Sequence, residues 1–160
     1  MPNYEYPGTN TVKNKWDEKD PVALGYIEGP LFRARWGEID EGMGPTGQFD
    51  ADHLKAIHQF LFQDIFEWAG HTRDELVLLS DGTIATQPMI QKEDGEPFLS
   101  GAEISSALNQ VGNPDRRTLR ASTSLPTAFI HRESYRQTKI EGFFSRLLRD
   151  GNWHHFVNSN

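Results

Sequence analysis

One stretch of the chain, residues 49–74, constrains the fold more than any other, because its apolar residues recur at helical spacing. The members of this stripe are three, four and four residues apart, so they share one face of an α-helix. They are Leu54, Ile57, Leu61 and Ile65. Asp50 or Asp52 can accept hydrogen bonds from the free N–H groups at the start, and Gly70 can adopt the left-handed conformation that ends a helix. The pattern predicts a core helix over residues 49–70, buried along one broad side.

The length and composition indicate one domain with one hydrophobic core, since the chain has 160 residues. It contains no cysteine, which excludes disulfides and cysteine-ligated zinc and fits a reducing cytoplasm. It has no apolar run of about 18 residues, the length that a membrane-spanning helix needs. The polar, aromatic start lacks the apolar core of a signal peptide. We therefore expect no membrane partner.

The net charge of −7 argues against a general nucleic-acid binder. The charge is unevenly distributed: residues 1–111 carry 8 basic and 19 acidic side chains, whereas residues 112–160 carry 8 basic and 4 acidic ones. The basic final third would favour a small anion such as a nucleotide phosphate. An ordinary solvated basic face explains the same pattern, and both interpretations stay open.

A helix is also predicted upstream of the core helix. Asp20-Pro21 has the form of an N-cap followed by proline in the first turn. Gly29-Pro30 is expected to end or kink this helix, because proline lacks an N–H donor and clashes with the preceding turn. Residues 31–39 would then form a second short helix.

Downstream, Ser100 and Glu103 form a capping box, and Gly112 can end the helix that they open. Residues 113–125 have almost no apolar pattern and are interpreted as a loop, before a last apolar stripe at helical spacing. We expect the core helix and Trp68 to pack against apolar residues of the later helices. These are Ile104, Leu108, Phe129, Phe144 and Leu147.

The core stretch resembles the first conserved block of Fic (Fido) domain proteins. The matching residues are Gly47-Gln48-Phe49-Asp50, His53-Leu54, Ile57-His58, Leu61-Phe62, Phe66-Glu67-Trp68-Ala69-Gly70 and Arg73. Residues 4–15 are also similar to the entry segment of Fic domains in secreted Bartonella effectors. The resemblance implies a mainly α, Fic-like helical domain over residues 1–160, with one β-hairpin flap and an N-terminal arm over residues 1–20. It also implies a protein adenylyltransferase, which transfers AMP from ATP to a hydroxyl of a target protein.

Residues 75–87 predict a β-hairpin, because Asp81-Gly82 lies between two apolar, partly β-branched runs. Its position matches the Fic flap, whose edge pairs with an extended segment of the target in that family. The resemblance implies target-binding roles for six residues. They are Leu79, Asp81, Gly82, Thr83, Ile84 and Ala85. A plain connecting hairpin is the alternative.

The active-site region implied by the resemblance is residues 126–151. Its loop, residues 131–138, occupies the place of the family pattern His-Pro-Phe-x-x-Gly-Asn-Gly-Arg. The resemblance implies His131 as general base and Glu133 as the acid that holds Mg on the phosphates of ATP. It also implies Arg136 and Thr138 as nucleotide contacts.

The loop departs from the family pattern, since it is shorter and lacks the proline, the phenylalanine, both glycines and the asparagine. A loop without glycine does not easily bring its backbone close to a phosphate. The alternative is therefore that His131 is a surface histidine at a helix end. The chain would then be a catalytically inactive or truncated module that binds a partner through its flap.

The likeness to the family is dense up to residue 111 and weak after it. A shifted reading frame or a deletion affecting residues 112–160 is one hypothesis for this abrupt change. Translating the coding DNA from codon 112 in the other two frames tests it, and the hypothesis fails if neither frame contains the loop.

Two further expectations concern metals and partners. Four of the five histidines outside the loop lack the spacing of a metal site and are interpreted as structural. They are His53, His58, His154 and His155. The resemblance implies a protein target and leaves open a regulatory partner protein. It favours a bacterial cytoplasmic protein, with secretion into a host cell as an open alternative.

Overall fold

The computed structural model describes residues 4–48, 50–86 and 101–109. In chain order they form α1 (Pro21–Asp40), α2 (Ala51–Phe62), β1 (Val77–Leu78), β2 (Ile84–Ala85) and α3 (Gly101–Asn109). The predicted class, a mainly helical fold with one antiparallel hairpin, is confirmed. Within these ranges, no helix has both the length and the apolar character to cross a bilayer.

The described residues fall into two compact units. The first contains residues 4–46, 55–71 and 75–86; the second contains residues 47–48, 50–54, 72–74 and 101–109. The arm, α1, most of α2 and the hairpin therefore belong to one unit, which is where the candidate site lies.

Helix α1 begins at the predicted cap and continues past its internal proline. The carboxylate of Asp20 accepts from the N–H groups of Val22 and Ala23 at 2.7 and 2.8 Å. The expected break at Gly29-Pro30 is wrong, because α1 runs unbroken from Pro21 to Asp40. Part of the conflict that proline causes falls on the Cβ of the preceding residue, and Gly29 has none. One missing donor then leaves the rest of the helix intact.

Helix α2 carries the predicted buried stripe. Leu54, Ile57 and Leu61 are each at most 3% exposed, which confirms the periodicity along α2, and Ile65, three residues past the end of the helix, is fully buried as well. Of the two predicted capping residues, Asp50 makes the contact, since its carboxylate accepts from the N–H of His53 at 2.9 Å. Burial of this stripe supplies much of the driving force for the helix, because each large side chain contributes roughly 1.5–3 kcal/mol.

The prediction that the core helix extends to Gly70 is wrong, since α2 ends at Phe62. The carbonyls of the next three residues accept from the arm instead of from N–H groups four residues later. The Lys15 ammonium donates to the carbonyl of Gln63 at 2.7 Å, the Trp16 indole to that of Asp64 at 3.2 Å, and the Lys15 N–H to that of Ile65 at 2.8 Å. Residues 63–70 therefore form turns against the arm.

The arm is itself an ordered element. It folds back on itself through a bridge between Glu5 and Val12, with a turn at Gly8, whose φ is +74°. Tyr4 is fully buried and meets Trp68 edge-on, with ring centroids 5.1 Å apart. This aromatic contact holds the start of the arm on the turns that follow α2.

Gly70 closes these turns in a backbone conformation that other residues adopt only under strain. Its φ is +89°, and its N–H donates to Nδ1 of His58 at 2.8 Å. A Cβ at this position would lie 2.8 Å from Cβ of Gln59 and 3.3 Å from the carbonyl of Lys55. Both the conformation and the close approach therefore require glycine.

Gly70→Ala is expected to lower the free energy of unfolding by about 2–3 kcal/mol, because left-handed strain and overpacking add. Gly42→Ala is the matched control, since Gly42 has a φ of +81° but no atom within 4 Å of a Cβ. This variant should lower the free energy of unfolding only by the cost of the left-handed strain, about 1–2 kcal/mol. Urea unfolding measures both, and equal losses would show that the contact with Gln59 is unimportant.

Helix α3 forms where the sequence predicts it. Ile104, Ala107 and Leu108 are buried, on the face that the spacing indicates. Ser100 and Gly112, the predicted ends, lie outside the described residues, as do the predicted packing partners Phe129, Phe144 and Leu147.

Candidate functional site

The hairpin is built as its Asp81-Gly82 pair predicts. Strands β1 and β2 pair antiparallel, with Leu78 opposite Ile84. The N–H of Leu79 donates to the carbonyl of Thr83 at 2.8 Å, and the N–H of Gly82 donates back to the carbonyl of Leu79 at 2.9 Å. Gly82 has a φ of +80°. This is a three-residue loop with glycine in the left-handed position, a common hairpin connection.

The hairpin presents one apolar side to solvent. Leu76 and Leu78 are 73% and 71% exposed, and Ile84 across the ladder is 46% exposed. Val77 and Leu79 alternate with them and are buried, as is Ala85. The exposed side suits an extended peptide, which could add main-chain hydrogen bonds at a strand edge and place apolar side chains here. The shape and apolar character of this side are therefore those of a surface to which a protein segment could be added.

Lys13 of the arm reaches the loop of the hairpin. Its ammonium donates to one carboxylate oxygen of Asp81 at 2.9 Å and to the hydroxyl of Thr83 at 2.6 Å. The other oxygen of Asp81 accepts from the N–H and the hydroxyl of Thr83, at 2.9 and 2.6 Å. These three side chains form a closed set of hydrogen bonds at the tip.

Glu67, from the turns after α2, holds the other side of the loop. Its two carboxylate oxygens accept from the N–H of Ser80 at 2.7 Å and from the Ser80 hydroxyl at 2.6 Å. Two separate parts of the chain therefore contact the loop through charged side chains.

The environment of Asp81 lowers the pKa of its carboxyl to about 2. The Thr83 hydroxyl is the main cause, followed by the Lys13 ammonium and the Thr83 N–H, because all three donate to the charged form. A lowered pKa in the folded state means that these contacts stabilise the fold above the unfolded value of about 3.9. Their contribution is lost as the pH falls from there through about 2.

A titration of the Asp81 carboxyl carbon by NMR should therefore have its midpoint at about 2. Thr83→Val and Lys13→Met should each raise this midpoint toward about 3.9, since each removes a donor. Lys19→Met is the control, because Lys19 pairs with Asp17 at 3.5 Å rather than with the loop. A wild-type midpoint near the unfolded value would contradict the contacts described.

The two histidines of α2 are packed into the fold. His53 is 4% exposed and His58 is fully buried, with Nδ1 of His58 accepting from Gly70. Across the part of the chain that the structure describes, no three or more histidine, aspartate or glutamate side chains come together as a metal site. His154 and His155 lie outside that part.

The residues that the sequence nominates for catalysis are not among those described. His131, Glu133, Arg136 and Thr138 all lie beyond residue 109, so their roles stay predictions. The six predicted flap residues are all described and do lie in one hairpin and its loop.

Sequence reasoning missed the two side chains that hold the loop. Lys13 is 68 and 70 residues away from its two partners in the loop, and Glu67 is 13 residues away from Ser80. No periodicity or turn signal in the sequence connects them. The sequence signal that could have pointed to Lys13 and Glu67 is that both lie within the segments that carry the family resemblance.

No family model matches the chain, but individual proteins and solved structures are similar to it. The chain is 31% identical over 156 residues to a protein adenylyltransferase of Bartonella henselae, covering 94% of this chain and 27% of that protein. It is 39% identical over 70 residues to the protein adenylyltransferase VbhT of Bartonella schoenbuchensis, covering 44% of this chain and 14% of that protein. The chain thus spans about a quarter or less of these relatives.

Solved structures share the fold. The BepC protein of Bartonella tribocorum, a VirB-translocated effector crystallised with AMPPNP, superposes with a TM-score of 0.74 at 29% identity over 92% of this chain and 77% of that one. The N-terminal FIC domain of Bep8 from Bartonella sp. 1-1C gives 0.69 at 27% identity, over 92% and 74%.

The helical fold with its hairpin and these likenesses support a Fic-domain protein. Within that class it is similar to the Fic domains of VirB-translocated Bartonella effectors.

Proposed function

We propose that this chain transfers AMP from Mg-ATP to a hydroxyl side chain of a target protein. The observation that carries the proposal is the 31% identity to a protein adenylyltransferase along 94% of the chain. The AMPPNP bound to the similar BepC protein supports ATP as the nucleotide substrate.

His131 is the proposed general base. It would take the proton from the target hydroxyl, whose oxygen then forms a bond to the α-phosphorus while the bond to pyrophosphate breaks. Arg136 and Thr138 would donate hydrogen bonds to phosphate oxygens. Glu133 would hold magnesium, which when bound neutralises phosphate charge.

The flap is the proposed docking element for the target. An extended target segment would pair with an edge of the hairpin, and the exposed Leu78 and Ile84 would contact its side chains. Main-chain pairing would fix the register of the segment, and therefore the position of the hydroxyl.

A second candidate function is a non-catalytic module that binds a partner protein through the same flap. The observation that favours it is the absence of glycine from residues 131–138, which are expected to contact phosphate. The exposed apolar side of the hairpin serves this function equally well.

Incubation with labelled ATP and a lysate separates the two functions. AMP transfer predicts labelled protein bands that disappear with His131→Ala. His71→Ala is the control, because this exposed histidine pairs with Glu75 at 2.7 Å outside the proposed active site. Labelling that survives His131→Ala would exclude His131 as the base. No labelling at all, with a target retained on the wild-type protein and lost with Leu78→Asp, would favour the non-catalytic module.

We also propose that the protein acts after secretion into a host cell and that a regulatory partner protein could control it. The similar effectors are VirB-translocated, which supports a bacterial protein that reaches another cell. Expression with and without secretion machinery, followed by detection in recipient cells, tests translocation against residence in the bacterial cytoplasm.

A further inference from the structure

We propose that Lys13 and Glu67 are positioning residues that hold the loop of the flap, residues 80–82, with the adjoining Thr83. Through the loop they hold the strand edges in the conformation with which a target segment pairs. The role of the flap in target docking rests on the proposed function. The anchoring itself rests on the contacts of these two side chains.

The flap needs such support because its ladder is very short. Each strand has two residues, and an isolated two-stranded hairpin is at best marginally stable in water. Val77, Leu79 and Ala85 bury one side of the hairpin, but the loop residues Asp81 to Thr83 are exposed and gain no such support. The conformation of the loop must therefore be stabilised by contacts from outside the hairpin.

Lys13 is well placed to supply that support. Its N–H donates to the carbonyl of Tyr4 at 2.6 Å, and its carbonyl accepts from the Trp68 indole at 3.4 Å, so its backbone is fixed on both sides. Its side chain is only 14% exposed although it ends in a charge. The ammonium is thus directed to Asp81 and Thr83 by a side chain with little freedom left to lose.

Glu67 acts on the opposite end of the loop. It uses both carboxylate oxygens on Ser80, the first loop residue, whereas Lys13 contacts Asp81 and Thr83 farther along. Charge-assisted hydrogen bonds are stronger than neutral ones. The loop is therefore held at its start and at its end, from the turns after α2 and from the arm.

This anchoring fits a docking function better than a merely structural one. The residues that it fixes, Asp81 to Thr83, are exposed and add little to the buried core. A preformed edge lets an extended segment bind without first ordering the flap, which removes part of the entropic cost of binding. The anchors would thus act on target binding through the flap without touching the target.

Hydrogen–deuterium exchange on the full chain tests the anchoring directly. Lys13→Met and Glu67→Ala should each speed exchange of the Leu79 and Gly82 N–H groups by about tenfold, since each removes charge-assisted hydrogen bonds. Lys19→Met should leave both rates unchanged. The Lys15 N–H, bonded to Ile65 in the arm, should also keep its rate, which separates release of the flap from loss of the arm.

Lys13→Arg should restore most of the slow exchange, because it keeps a charged donor at the site. Unchanged flap exchange in both Lys13→Met and Glu67→Ala would overturn the proposal, and so would equal acceleration throughout the arm.

The assay with labelled ATP tests the effect of the two side chains on target docking. If the wild type labels a target, Lys13→Met and Glu67→Ala should each lower the rate of AMP transfer about tenfold, whereas Lys19→Met should not. An undiminished rate of transfer would show that these two side chains do not act on docking. If the wild type labels nothing, AMP transfer fails as the function, and exchange alone decides the anchoring.

Discussion

Leu61→Ala is expected to lower the free energy of unfolding by about 2–5 kcal/mol, the range for deleting a fully buried leucine side chain. Leu61 is 1% exposed and lies in the last turn of α2, between the buried Ile57 and Ile65. Truncation removes its buried apolar surface and leaves a cavity that the neighbouring side chains fill only in part. A loss of this size would consume a large fraction of the stability of a domain this long.

Urea unfolding followed by circular dichroism measures the effect. Leu78→Ala is the matched control, since the same side chain is 71% exposed on the hairpin. That variant should change the free energy of unfolding by no more than about 0.5 kcal/mol. A neutral Leu61→Ala, or a far-UV spectrum dominated by β-sheet, would contradict the helical core described above.

Mg-ATP is expected to bind this chain at least about a hundredfold more weakly than a variant carrying the complete family loop in place of residues 131–138. A phosphate-binding loop without glycine forfeits backbone contacts, and each charge-assisted hydrogen bond contributes about 1.5–3 kcal/mol. Losing two of them accounts for a factor of roughly a hundred or more. Transfer of AMP by the chain as it stands should accordingly be slow.

Isothermal titration calorimetry of both proteins with Mg-ATP measures the ratio. His131→Ala in the complete-loop variant is the control: it should remove labelling while leaving nucleotide binding largely intact, because the base acts on the target hydroxyl. Tight binding by the unmodified chain, with labelling that depends on His131, would show that Glu133 and Arg136 already complete a working site. Weak binding with no labelling would favour the module that binds through its flap.

The candidate site was only partly predictable. Asp81-Gly82 between two apolar runs predicts a hairpin, because glycine readily adopts the left-handed conformation that such a loop needs. The contacts from Lys13 and Glu67 that hold its loop could not be read in the same way, because they depend on how the arm and the turns after α2 fold back to the hairpin.

The sequence by itself determined those features that depend on neighbours along the chain. These are the buried stripe of α2, the cap at Asp20 and the position of α3, because helical periodicity and end-capping act over one or two turns.

The tertiary structure decided where the elements stop. Residues 63–65 have no helix-breaking sequence, yet α2 ends before them because Lys15 and Trp16, 48 to 50 residues away, donate to their carbonyls. Gly29-Pro30 has a helix-breaking sequence, yet α1 continues through it. In the first case a backbone group's hydrogen-bond partner comes from a distant segment, and no local pattern in the sequence specifies it. In the second, the cost of one lost hydrogen bond is outweighed by the rest of the helix.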